Sequence, residues 1–161
     1  MYGLMVFLHV FGAFVFVLAH GASVLVAFRL RTEREPGRVA ALLDLSSLGI
    51  GVMYVGLAIL VLAGVTAGFI GDHWGRAWIW LAIGILVAVA AAMYALGTAF
   101  YARMRLAAGA EVPAQLAARY DPPPTTADLG PMLASNRPFI LAAIGGIGLT
   151  AIVWLMVAKP F

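Results

Sequence analysis

Four long runs of apolar residues, each bounded by charge, decide what this chain can fold into. They are Tyr2 to Phe28, closed by Arg29 and Arg31; Leu45 to Ile70, between Asp44 and Asp72; Ala77 to Ala102, between Arg76 and Arg103; and Pro138 to Ala158, between Arg137 and Lys159. Crossing the hydrocarbon of a bilayer takes about 20 apolar residues in a helix. Each run meets that length, and the first three exceed it, which predicts tilt or extension beyond the lipid. In lipid the backbone must satisfy its own polar groups, so the runs are expected as helices. The expected fold is an all-α integral membrane protein, a four-transmembrane-helix bundle forming one domain over residues 1–161.

Composition excludes other classes. Only 11% of the 161 residues are charged and 64% are hydrophobic, against about 25% charged in a soluble domain. There is no cysteine, so disulfides, Cys-ligated zinc, Fe–S clusters and covalent c-type haem are excluded. The net charge of +3 is no nucleic-acid footprint, because so apolar a chain cannot build a basic groove. The first run has no basic region before it and outlasts the ~7–15 apolar residues of a cleaved leader, so it is expected to be retained.

Arginines set the expected direction. Arg29, Arg31, Arg34 and Arg38 flank the first connection, and Arg103, Arg105, Arg119 and Arg137 the third. The second carries only Arg76, and the C-terminus only Lys159. The positive-inside rule then places both termini outside a bacterial inner membrane, with the first and third connections in the cytoplasm. Trp74, Trp78 and Trp80 cluster at the outer end of the third span, as an interfacial aromatic belt or the mouth of a site would. The third connection, 103–137, holds Pro113, Pro122, Pro123, Pro124 and Pro131. It is expected as an extended connector on the membrane surface, with a short helix around Ala114 to Tyr120.

The first span also contains His9 and His20. An ionisable group inside a span is a functional-site hypothesis by default. Eleven residues separate them, which puts them on nearly the same helical face, roughly 16 Å apart in depth. Depth counting from the charged boundaries places His20 level with Met53 and Tyr54, Met93 and Tyr94, and the cluster Gly145, Gly146 and Gly148. Methionine and histidine are both axial haem ligands, and glycine leaves room for a flat ring. His9 falls level with Gly64 and Thr66. His73, in the outer loop on the same side, offers a second ligand, with Asp72 nearby. The candidate cofactor-binding set is therefore His9, His20, Met53, Met93, Tyr54 and Tyr94, and the candidate metal set His9, His20 and His73. Each has a plainer competitor: glycines as helix-packing faces, methionines as filler, tyrosines and histidines as hydrogen-bonding groups, His73 as a solvated loop residue. Cytochrome b sets paired histidines of one span against a pair on another, and no second span here supplies an opposing pair.

The stretch Leu8-His9-Val10-Phe11-Gly12-Ala13-Phe14 resembles the opening of a group of small bacterial membrane proteins. The group includes the CopD copper-resistance domain, the HemJ-type protoporphyrinogen oxidases and an uncharacterised family of integral membrane proteins, to which the likeness is greatest. Leu62-Ala63-Gly64-Val65-Thr66-Ala67-Gly68, followed by Trp74 to Trp80, matches a second short motif of the group. The likeness covers roughly residues 1–105. The HemJ resemblance implies haem held by His9, and the CopD resemblance implies copper handling, although no Met-x-x-Met or His-rich outer segment accompanies it.

The expected function is a membrane protein that binds b-type haem or a metal through the span-one histidines, as an accessory subunit in electron transport. No catalytic residue is assigned; a HemJ-like or transport enzyme is the weaker expectation, and no intramembrane chain of acids is present for proton-coupled transport. The alternative is a cofactor-free structural subunit of a larger respiratory or photosynthetic complex. Its expected partners are the lipid bilayer and other membrane subunits or further copies of itself.

Overall fold

The computed structural model describes residues 1–161, the side chain of Leu116 excepted. It is all-helical. Four long helices carry the apolar runs: α1 (Tyr2–Leu30), α2 (Pro36–Ile70), α3 (Ala77–Ala107) and, after the connector, α6 (Arg137–Ala158). All four are long and apolar enough to cross a membrane. Their 29, 35, 31 and 22 residues correspond to about 33–52 Å of helix, so α2 and α3 run well past a ~30 Å hydrocarbon core. The added length lies at the Arg-rich end. Pro36 opens α2 eight residues before Asp44, since proline's missing N–H costs nothing in a first helical turn. At the far end of α3, Gly109 takes φ +77, the left-handed conformation that stops a helix.

The bundle is two hairpins. α1 packs along α2, α3 packs along α6, and the two pairs touch each other much less. Glycine explains the tight pairs. A Cβ on Gly12 would lie 2.5 Å from the Leu60 nitrogen, and one on Gly56 2.7 Å from the Phe16 nitrogen. The α1 and α2 backbones are thus in contact, as small residues permit where no hydrophobic drive exists between helices. On the other hairpin, Gly148 of α6 receives the Val89 side chain of α3. Gly146 meets nothing within 4 Å. Of the expected glycine wall, Gly145 and Gly148 face the bundle and Gly146 does not.

Two buried clusters close the ends. At the Trp-bearing end, Trp78, Ile79, Ala82 and Leu155 pack together. Trp78 is therefore core, while Trp80 is exposed in the manner of a belt. At the Arg-rich end, Leu30, Val39, Leu43, Met104 and Ala107 pack with Leu129 and Leu133. The last two belong to the connector. It forms α4 (Ala114–Ala117), a 3-10 turn (Thr126–Asp128) and α5 (Leu129–Leu133). An extended connector on the membrane surface was expected, with a short helix around Ala114 to Tyr120, where α4 lies. Instead its second half turns inward and plugs the bundle, because Leu129 and Leu133 are apolar groups with a core to enter. Arginines hold the plug: Arg31 donates to the Ser135 carbonyl and lies 4.8 Å from the Phe139 ring centre. Arg137 donates to the Leu96 carbonyl at 2.6 Å.

Candidate functional site

His9 sits inside the α1–α2 hairpin. Gly64 makes the room: a Cβ there would lie 2.6 Å from Nδ1 of the imidazole. The ring reaches across and its Nδ1–H donates to the Leu60 carbonyl at 2.8 Å. That bond satisfies a polar group inside an apolar span and ties the two helices together. It also fixes the tautomer, leaving the Nε2 lone pair free. Thr66, considered as a partner for His9, instead donates to the Leu62 carbonyl of its own helix.

His73 does not join His9. Its Nε2 hydrogen-bonds the Tyr2 hydroxyl at 3.0 Å, and its ring packs edge-on against Tyr2 and near Trp78. The expected outer metal site of His9 and His73 gives way to a tie between the start of α1 and the α2–α3 loop. Among the described residues, no group of three or more His, Asp or Glu side chains could hold a metal ion.

His20 occupies a different setting. Its ring stacks on Phe16, with centroids 5.7 Å apart and planes 3° from parallel, and it makes no side-chain hydrogen bond among the described residues. It lines a cavity of about 280 Å³ between the two hairpins, as do Met53 of α2 and Met93 of α3. A Cβ on Gly145 would lie 2.8 Å from the Met93 methyl and 3.9 Å from His20 Nε2. Histidine and methionine therefore converge on one patch of α6, and glycine there leaves them space. The cavity continues toward the Arg-rich end past Ser46, Gly97 and Tyr101 to Arg105. A second cavity, bordered by Met5, Leu8, Phe11, Leu62 and Thr66, is apolar. His9 borders neither.

Tyr54 and Tyr94, expected beside His20, point outward and are 60% and 69% exposed. Each follows its methionine by one residue, and one residue is about 100° of helical rotation. The structure separates the two Met-Tyr pairs by face: methionines in, tyrosines out. Tyr101 and Arg105, which no motif flagged, are at the cavity's other end. Their i, i+4 spacing was the one available signal.

The fit to haem can be tested directly. A porphyrin on His20 would have to lie between Nε2 and whatever faces it. Gly145 of α6 lies on the Nε2 side of His20, and the Met93 methyl approaches the same glycine. His9 is wedged against Gly64 in a hairpin whose backbones touch. A single ion needs no such slot. No family model matches the chain, and neither a curated protein nor a solved structure matches it.

Proposed function

We propose that this chain is a multi-pass protein of the bacterial inner membrane, both termini outside, that holds one soft metal ion at His20, Met53 and Met93 as an accessory to membrane electron transport. The observation that carries this reading is the convergence of an imidazole and two thioethers, from α1, α2 and α3, on one cavity. Thioethers are poor ligands for Mg²⁺ and Ca²⁺ and good ones for Cu(I), and imidazole suits copper as well. When bound, such an ion supplies one-electron chemistry. The residues do the rest: Phe16 orients the His20 ring by stacking on it, and Gly145 leaves the donors clear. His9 has a separate part in this reading, as the hydrogen bond that locks the α1–α2 hairpin on which His20 is mounted.

The test is Cu(I) retention by detergent-purified protein against a competing chelator. One ion per chain is expected. His20→Ala and Met93→Leu should each weaken retention at least tenfold, the scale seen even for lost outer-shell partners of metal ligands, while His9→Ala keeps it. Equal retention by wild type and both ligand variants would overturn the metal reading. A Soret band in the purified protein would favour haem over a single ion. A colourless protein without copper, purifying with other membrane subunits, would favour the structural-subunit alternative.

A further inference from the structure

Hydroxyls inside the spans divide into two kinds. Six Ser and Thr residues lie there. Ser47, Thr66 and Thr150 donate to a carbonyl of their own helix, at 2.7, 2.8 and 2.8 Å. That is how a hydroxyl is ordinarily satisfied where water is absent. Ser23, Ser46 and Thr98 make no side-chain hydrogen bond among the described residues, and all three line the cavity that reaches His20. Their hydroxyls are not sealed off: the side-chain polar atoms that are both buried and unpaired belong to Trp74, Tyr101 and Arg105. An unpaired hydroxyl facing hydrocarbon forfeits its hydration with nothing in return, so three of them on one cavity, with the unbonded His20 ring beyond, call for water.

These groups stand at successive depths. Counted inward from Asp44, Arg103 and Arg29, Ser46 is two residues in, Thr98 five, Ser23 six and His20 nine. The corresponding rises are about 3, 8, 9 and 14 Å, steps that one or two bridging waters can span. Ser47, Ile50 and Thr98 line the cavity and are exposed, so it opens sideways between α2 and α3, which scarcely touch. That opening is within two helical turns of Asp44 and Arg103, at the level where headgroups and water meet the protein. Arg105 lines the same end, and its ion pair with Asp44 cancels its charge, so the mouth sets up no barrier to a cation. At about 280 Å³ the space holds several waters of ~30 Å³ each. The opposite end is closed by the cluster around Trp78.

We propose that this cavity is a hydrated vestibule, open at the Arg-rich end, through which water and small hydrophilic cations reach His20 from that side alone. That water arrives there stands on the cavity and its hydroxyls; that the cation is Cu(I) rests on the metal reading above.

Single cysteines in this cysteine-free chain provide the test. The full protein is placed in right-side-out and inverted vesicles and treated with a trimethylammonium methanethiosulfonate, a cation that does not cross lipid. It modifies the thiolate, so only a hydrated cysteine reacts. His20→Cys is expected to react in the vesicle orientation in which Thr32→Cys, in the α1–α2 connection, reacts, and not in that of Gly75→Cys, in the α2–α3 loop. Phe14→Cys, on the same helix but 64% exposed and away from the cavity, should react about a hundredfold more slowly, the scale on which hydrocarbon disfavours a charge. Gly97 lines the wall between the mouth and His20, and a Cβ there meets only Leu141, at 3.9 Å. Adding Gly97→Leu should fill that passage, abolish modification of His20→Cys and spare Ser47→Cys at the mouth. If His20→Cys does not insert, Met53→Cys, at the same depth, is read in its place. A thiol at that depth that is inert from both sides, that reacts from the Gly75 side, or that reacts unchanged beside Gly97→Leu would overturn the proposal. With the native histidine, Gly97→Leu should slow Cu(I) loading without changing the amount held at equilibrium. A chain that holds no copper removes only that readout and leaves the thiol result standing, so the two readings fail separately.

Discussion

Single residues carry the contrast between the two histidines. Depth was legible in the sequence, because charges fix where each span begins and a helix rises a constant 1.5 Å per residue. That arithmetic brought Met53 and Met93 to the level of His20, and the structure puts all three on one cavity. Azimuth was not legible. Tyr54 and Tyr94 share the depth and face outward, and Gly146 shares it and faces open space, because which face looks inward is settled by neighbouring helices and lies outside the one-dimensional count. The glycines make this testable. A leucine at Gly64 would collide with the His9 ring and break its bond to Leu60. Overpacking of this kind costs about 1–3 kcal/mol, so Gly64→Leu should lower the melting temperature in detergent. Gly146→Leu should leave it unchanged. A pair of thermal melts at equal detergent concentration decides both.

At the scale of elements, the long helices could be read from composition because twenty uncharged residues admit no other structure in lipid. The connector could not. Its helices of four and five residues are too short to show periodicity, and its prolines suggested extension. What folds it is local: Asp128 accepts from the Thr125 backbone N–H at 2.8 Å and the Thr125 hydroxyl at 3.1 Å, which starts the turn that aims Leu129 and Leu133 at the bundle. The same Thr125 backbone bond, and then the hydroxyl, hold the Asp128 carboxyl below its ordinary range. Glu33 is lowered likewise, chiefly by the Arg34 backbone N–H and then that of Glu35. The sign follows. A carboxylate whose folded pKa is depressed adds stability above its unfolded pKa of about 4, and that stability is lost as pH falls through the folded value. Melting should therefore be insensitive to these groups near neutrality and decline below pH ~4, with a shallower decline in Asp128→Asn. Leu133→Ala should cost about 2–5 kcal/mol at any pH, as buried leucines do. A melt of Leu133→Ala identical to wild type would mean the plug is not part of the folded core.

For the whole molecule, two glycine-welded hairpins that touch lightly explain why the cavity exists at all. Close packing within each pair leaves the unfilled volume between pairs, and the end clusters around Trp78 and Leu129 seal it above and below. The direction proposed for this assembly across the membrane rests on charge. Arg29, Arg34, Arg38, Arg103 and Arg119 are exposed at the end that carries the connector, where they are free to face a cytoplasm and an anionic leaflet. The opposite end offers only Arg76 and Lys159, and Lys159 lies 5.8 Å from the Trp78 ring centre. Arg31, Arg105 and Arg137 serve the fold as well, through Ser135, Asp44 and Leu96, yet they add to the same side of the count. Lys and Arg bias near span ends sets orientation, so single cysteines in this cysteine-free chain should report it cleanly. Thr32→Cys and Thr125→Cys are expected to react in intact cells only with reagents that cross the membrane, and Gly75→Cys with an impermeant maleimide as well. Thr32 and Thr125 flank the connector end and Gly75 the other, so the three must divide two to one. Labelling of Thr32→Cys by the impermeant reagent, with Gly75→Cys protected, would invert the molecule.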